Sequence, residues 1–227
     1  MAMKTIAVWM LLLAGACSGM AAAGEKPRAL NLETIENPRA WKIYNTEANA
    51  VEFKGKSAAY LRATGDSATG TYGMALPIGV EFETGAIELD LRGKSERGRS
   101  FLGVAFNVTD DHAFEVVYFR PFNFRADEPF KGRAVQYISA PGNGWEYLRK
   151  NFPGKFENAV NPVPDPDDWF HARIEVSDKQ VRVFVDHART PSLVVDRIPE
   201  NRKKRPMGLF VDSADGYYRN LKVTHGL

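Results

Sequence analysis

From residue 50 onward the chain alternates apolar and polar positions almost without interruption, the period-2 signature of strands with one face buried. Ile87, Leu89 and Leu91 alternate with Glu88, Asp90 and Arg92, and Val181, Val183 and Val185 alternate with Arg182, Phe184 and Asp186. Similar runs predict strands over 58–62, 101–107, 114–120, 134–139, 170–177, 193–197, 207–211 and 217–224, and no window of twelve residues carries a helical stripe. Turn residues separate the runs at Gly65-Asp66, Asp110-Asp111, Pro141-Gly142-Asn143-Gly144, Ser177-Asp178-Lys179 and Asp215-Gly216. Many short strands at this spacing predict an all-β sandwich or barrel with very little helix. Two longer segments, 121–133 and 152–168, are rich in proline, glycine and charge. They read as ordered loops over one rim, where binding groups tend to be placed.

The N-terminal stretch breaks this pattern. One charge, Lys4, precedes an apolar run from Ile6 to Ala16 and then small residues up to Ala23. That is the layout of a signal peptide over residues 1–23, with an exported domain over 24–227 that becomes structured near Leu30. The apolar run falls short of the roughly 20 residues a membrane span requires, and no later segment reaches that length. The expected location is therefore periplasmic or extracellular. A competing reading uses Cys17, because LAGAC resembles a bacterial lipobox with Ala14 where leucine is usual, and acylation there would leave a membrane-anchored lipoprotein.

Composition narrows the picture. Cleavage after Ala23 leaves 227 − 23 = 204 residues, enough for one sandwich domain. Cys17 is the sole cysteine, so the domain is held without disulfides and relies on core burial. A formal charge of +2, or +1 without Lys4, lacks the strong basic field of nucleic-acid binders. The basic run 202–205 reads as a solvated loop.

Three stretches carry a family resemblance: FETGAIELDLRG (82–93); SFLGVAFNVTDDHAFEVVYFRPFNF (100–124) with VQY (135–137); and DWFHARIEVSDKQVRVFVD (168–186) with GLFVDSADGYYRNLKV (208–223). Together they resemble the concanavalin A-like lectin/glucanase jelly rolls, which include laminin G domains, and within them the 3-keto-disaccharide hydrolase domain family. The resemblance implies a sandwich of two antiparallel sheets and a carbohydrate partner. The same fold hosts lectins, hydrolases and adhesion modules, so the alternative is a non-catalytic laminin G-like adhesion or scaffold module.

In such a jelly roll sugars lie across one curved sheet, and the alternation selects side chains for that face. Burying Ile87, Leu89 and Leu91 turns Glu88 and Asp90 outward, about 7 Å apart along the strand. Burying Leu102, Val104 and Phe106 leaves Gly103, Ala105 and Asn107 opposite, a floor that a sugar ring could approach. Tyr118 and Arg120 would add an aromatic plate and a fork of donors. Asn123, Gln136 and Trp145 could join from neighbouring strands and loops. The structural alternative makes Glu88 and Arg120 a cross-strand ion pair and the aromatics core.

Laminarinase-type relatives display Glu-x-Asp-x-x-Glu on one strand. Here Glu88 and Asp90 match the first two places and Gly93 occupies the third, so the two-carboxylate mechanism lacks its partner. On a 3-keto sugar the ketone acidifies the C2 hydrogen and allows elimination, with Glu88 as the expected base and Arg120 as the stabiliser of the enolate. Asp165, Asp167 and Asp168 could offer oxygen ligands to calcium, although their prolines equally suit a rigid rim loop. His112, His171, His187 and His225 show no ligand spacing and read as exposed or capping residues.

Overall fold

A computed structural model describes residues 26–65, 69–198 and 203–226. The signal peptide and Cys17 readings fall outside these residues. The elements run β1 (Arg28–Ala29), β2 (Trp41–Tyr44), β3 (Thr46–Phe53), β4 (Lys56–Ala63), β5 (Gly73–Pro77), β6 (Glu81–Phe82), β7 (Gly85–Arg92), β8 (Phe101–Phe106) and β9 (Phe114–Phe119). There follow β10 (Val135–Ala140), helix α1 (Trp145–Asn151), β11 (Glu157–Asn158), β12 (Phe170–Val176), β13 (Gln180–Val185), β14 (Leu193–Asp196), β15 (Arg205–Pro206), β16 (Gly208–Asp212) and β17 (Asp215–His225).

Two antiparallel sheets make a sandwich, as the alternation predicts. The first has the order β14-β13-β12-β7-β17-β4-β3, with β1 also paired to β17. The second has the order β11-β10-β9-β8-β16-β5-β2, and β15 pairs with β6 apart from both. Ile87, Leu89, Leu91, Ile174 and Val183 of the first sheet face Leu102, Val104, Phe106, Val117 and Phe119 of the second, all fully buried. The Asp215-Gly216 turn expectation is corrected: both residues lie within β17, and the reversal comes just before, at Ser213 with φ +57°.

A polar cluster enters the sandwich interior. Glu115, in register with Phe106, is fully buried and accepts hydrogen bonds from Arg197 (2.8–3.1 Å), Tyr137 Oη (2.6 Å) and Asn107 Nδ2 (2.9 Å). Burying a carboxylate is tolerable only with such complete pairing. Asn107, at φ +50°, is thereby corrected from groove residue to ligand of this internal ion pair.

A third correction concerns the partition of strands. β7 belongs to the first sheet and β8 and β9 to the second, because residues 93–100 carry the chain from one to the other. β7 and β8, adjacent in sequence, are therefore not neighbours in a sheet.

Candidate functional site

The second sheet carries a single row of in-register residues across its outer face: Tyr44, Met74, Phe210, Gly103, Tyr118, Gln136 and Glu157, one from each of seven strands. Gly103 admits no side chain, since an added Cβ would stand 2.0 Å from the Val117 carbonyl oxygen. Above it the rings of Tyr118 and Phe210 come within 5.9 Å of each other. The expected open floor of small residues is corrected accordingly, because these rings cover it. Further along the same face Tyr72 packs on Phe114 and Phe210, and α1 buries Leu148 against β10. The Tyr118–Gln136 end of the face stays open.

That open end is a pocket of about 320 Å³. Its base is a hydrogen-bonded network built on the row. Tyr118 Oη donates to Gln136 Oε1 at 3.0 Å and accepts from Arg120 Nη2 at 2.8 Å. Arg120 Nη2 also donates to Gln136 Oε1. Arg120 Nη1 and Asn123 Nδ2 share the Arg133 carbonyl, at 2.9 and 3.2 Å. Gln136 Nε2 is buried without a hydrogen-bond partner. Burial pushes the Tyr118 phenol up to about 12, so it remains a neutral donor at ordinary pH, and burial pushes the Arg120 guanidinium down from its usual value.

Aromatic rings form the walls. Phe101 and Phe122 meet edge to face at 5.4 Å, and Trp145, the first residue of α1, is 40% exposed. Arg149, one helical turn after Trp145, lies over the indole at 4.8 Å and grips Glu157 through Nε and Nη2 at 2.8 and 2.6 Å. Arg120 and Arg133 approach the same carboxylate only to 3.8 and 3.9 Å. The rim closes with Arg97, whose guanidinium lies 3.8 Å from the centre of the Phe130 ring. Among the described residues Asp212 is the one carboxylate of the lining.

The structure thus brings together Tyr118, Arg120, Asn123, Gln136 and Trp145 and places Glu88 and Asp90 elsewhere. Both carboxylates project from the outer face of the first sheet. The sheets of a sandwich pack about 10 Å apart, and Glu88 and Arg120 point away from each other across it. The expectations of a Glu88–Arg120 catalytic pair and of a Glu88–Arg120 ion pair are both corrected. Glu88 instead stands 3.6 Å from His171 Nε2. Asp90 binds His171 Nδ1 at 2.9 Å, Arg219 Nε at 3.0 Å and Asn220 Nδ2 at 2.7 Å. Burial alone would raise the Asp90 carboxyl, but these three contacts outweigh it and hold it at about 2. His171 is no exposed cap, since it also stacks on His187 at 4.1 Å.

The expected calcium loop is otherwise engaged. Asp165 accepts from the Asp167 amide and pairs with Arg125, Asp167 accepts from the Ser95 amide, and Asp168 accepts from the Trp169 amide. Among the described residues no three or more histidines, cysteines or acids are grouped to hold a metal ion.

Arg133, Arg149, Glu157, Phe101, Phe122, Phe130 and Arg97 were not among the residues the sequence pointed to. The available signal was the spacing of Trp145 and Arg149, which share a helix face at i and i+4; α1 is too short for periodicity to reveal.

Neither a protein-family model nor a curated protein matches the sequence. Solved structures do match in fold. The carbohydrate-binding module CBM66 of Bacillus subtilis superposes with a TM-score of 0.55 at 13% identity, over 81% of this chain and 95% of that one. The β-glucanase of Bacillus licheniformis gives 0.53 at 13% identity, over 91% and 100%. The κ-carrageenase of Pseudoalteromonas carrageenovora, solved with a κ-carrageenan oligosaccharide, gives 0.51 at 10% identity, over 92% and 98%. At these identities the likeness establishes the architecture, an all-β jelly-roll sandwich of the kind found in carbohydrate-binding modules and glycosidases.

Proposed function

We propose that this is an exported protein that binds a carbohydrate in the pocket at the open end of the second sheet. One observation carries the reading: a half-exposed tryptophan and further aromatic edges surround a fixed network of guanidinium, phenol and amide groups. Sugar recognition requires that combination, flat apolar faces for the ring and oriented polar groups for the hydroxyls. The jelly-roll neighbours support it, since they include a carbohydrate-binding module and two polysaccharide-degrading enzymes.

Chemistry on a 3-keto glycoside is the finer form of the proposal. Removal of the C2 proton and cleavage of the C1–O bond would form a C1=C2 double bond in the keto sugar and release the aglycone oxygen, which takes up a proton as it leaves. This requires one base that can return that proton. Asp212, which lines the pocket, takes that role in place of Glu88, and Arg120 would face the developing enolate. The two-carboxylate glycosidase route is disfavoured, because the lining offers a single carboxylate.

The test is titration calorimetry and product analysis with a panel of glycosides and their 3-keto derivatives, on the wild type, Trp145→Ala and Asp212→Asn. Heat of binding that Trp145→Ala removes supports the pocket. Release of sugar from keto substrates alone, lost in Asp212→Asn, supports elimination. Silence across the panel leaves the laminin G-like adhesion or scaffold module as the better account.

A further inference from the structure

The pocket is one-sided in its hydrogen bonding. Arginine offers donors and no acceptor, and Arg97, Arg120, Arg133 and Arg149 all line it. Asn123 spends its amide nitrogen on the Arg133 carbonyl, and buried Gln136 keeps Nε2 without a partner. Against these stand two carboxylates, Asp212 in the lining and Glu157 behind it, and Glu157 is already held by both Nε and Nη2 of Arg149. Arg120 donates only to neutral oxygens, those of Tyr118, Gln136 and the Arg133 carbonyl. The four arginines therefore exceed the two acids by two positive charges, in a place where Arg120 is 5% exposed.

Three of these guanidinium groups lie over aromatic rings. Arg97 lies over Phe130, Arg149 over Trp145 and Arg120 over Tyr118, at 3.8, 4.8 and 4.8 Å. A guanidinium over a ring can aim N–H groups at a partner in its own plane, the geometry that suits carboxylate and sulfate oxygens, as Arg149 already does with Glu157. Neutral sugar hydroxyls each seek an acceptor as well as a donor, and this lining supplies few acceptors.

We propose that the pocket selects an acidic saccharide, one whose carboxylate or sulfate oxygens sit among Arg97, Arg120 and Arg133 while a sugar ring lies along Trp145. This rests on the reading of the pocket as a carbohydrate site. Uronates and sulfate esters share the chemistry, and the two sources are separable by experiment.

The test is calorimetry of the purified protein with trigalacturonate, with its carboxyl-reduced neutral counterpart, with a sulfated galactan oligosaccharide and with the same oligosaccharide desulfated, at about 20 and 200 mM salt. The expected result is at least tenfold tighter binding of one acidic ligand than of its neutral form, weakening with salt. Which acidic ligand shows the preference names the source. Arg97→Met with Arg133→Met, at exposed or half-buried positions, should shrink that preference to less than threefold, while Trp145→Ala should weaken acidic and neutral ligands alike. Equal or tighter binding of the neutral forms, or a preference that survives loss of both arginines, overturns the proposal and leaves the carbohydrate site standing. If none of the four saccharides binds, both fall together.

Discussion

The side chains of Glu115 and Arg197 are both fully buried and meet through Arg197 Nε and Nη2, with separations of 2.8–3.1 Å, inside a sandwich that has no disulfide to hold it. Removing one partner strands the other charge in the interior. Glu115→Leu or Arg197→Met should each cost about 3–5 kcal/mol in urea unfolding, and the double replacement clearly less than the sum. Additive losses would show that the two groups act separately.

Trp145 is 40% exposed and carries little of the core. Its replacement by alanine should change unfolding free energy by less than about 1 kcal/mol and yet reduce saccharide affinity by roughly tenfold or more. Tryptophan fluorescence shifts on titration of the wild type would follow the same event directly.

Arg120 should not tolerate lysine. A point ammonium cannot reach Tyr118, Gln136 and the Arg133 carbonyl at once. Arg120→Lys should lose binding and about 2 kcal/mol of stability, since buried acceptors lose their donors. Glu88→Gln, on the opposite face, should leave pocket affinity within error; a large loss would contradict the separation of the two sheets.

Asp90 sets an acid limb. Its folded pKa of about 2 lies below the unfolded value near 3.9, so its contribution is complete above pH ~4 and fades as pH falls toward 2. The contribution is of the order of 2 kcal/mol at most. Asp90→Asn should flatten stability over pH 4 to 2 relative to the wild type, as read by urea midpoints across that range.

Local alternation made the strands of the sandwich legible because each of them buries one face, as Ile87, Leu89 and Leu91 do. It passed over β3, an edge strand with both faces largely wet, and β5, which is buried on both. What alternation could not convey was partnership. Glu88 lies on β7 and Arg120 just after β9, two strands on, and the crossover at 93–100 puts them on opposite faces. Asn107 kept the right period but left the strand with a positive φ, which redirected its amide inward. Tyr118 and Gln136 came together because antiparallel pairing of β9 and β10 makes them direct partners, a relation that rests on the length of the loop between them.

The pairing of β1 with the last turns of β17 has a bearing on how the molecule presents itself. Arg28 lies opposite Val223, and His225 lies opposite Gly85, at the start of β7. The other end of β7 leads to Gly93, which touches Pro121 beside the pocket. The length of β7, about 23 Å at the usual rise, therefore separates Arg28 and His225 from the binding groups. Among the described residues, β1 and the end of β17 lie at one pole of the sandwich, and the pocket looks out from the other.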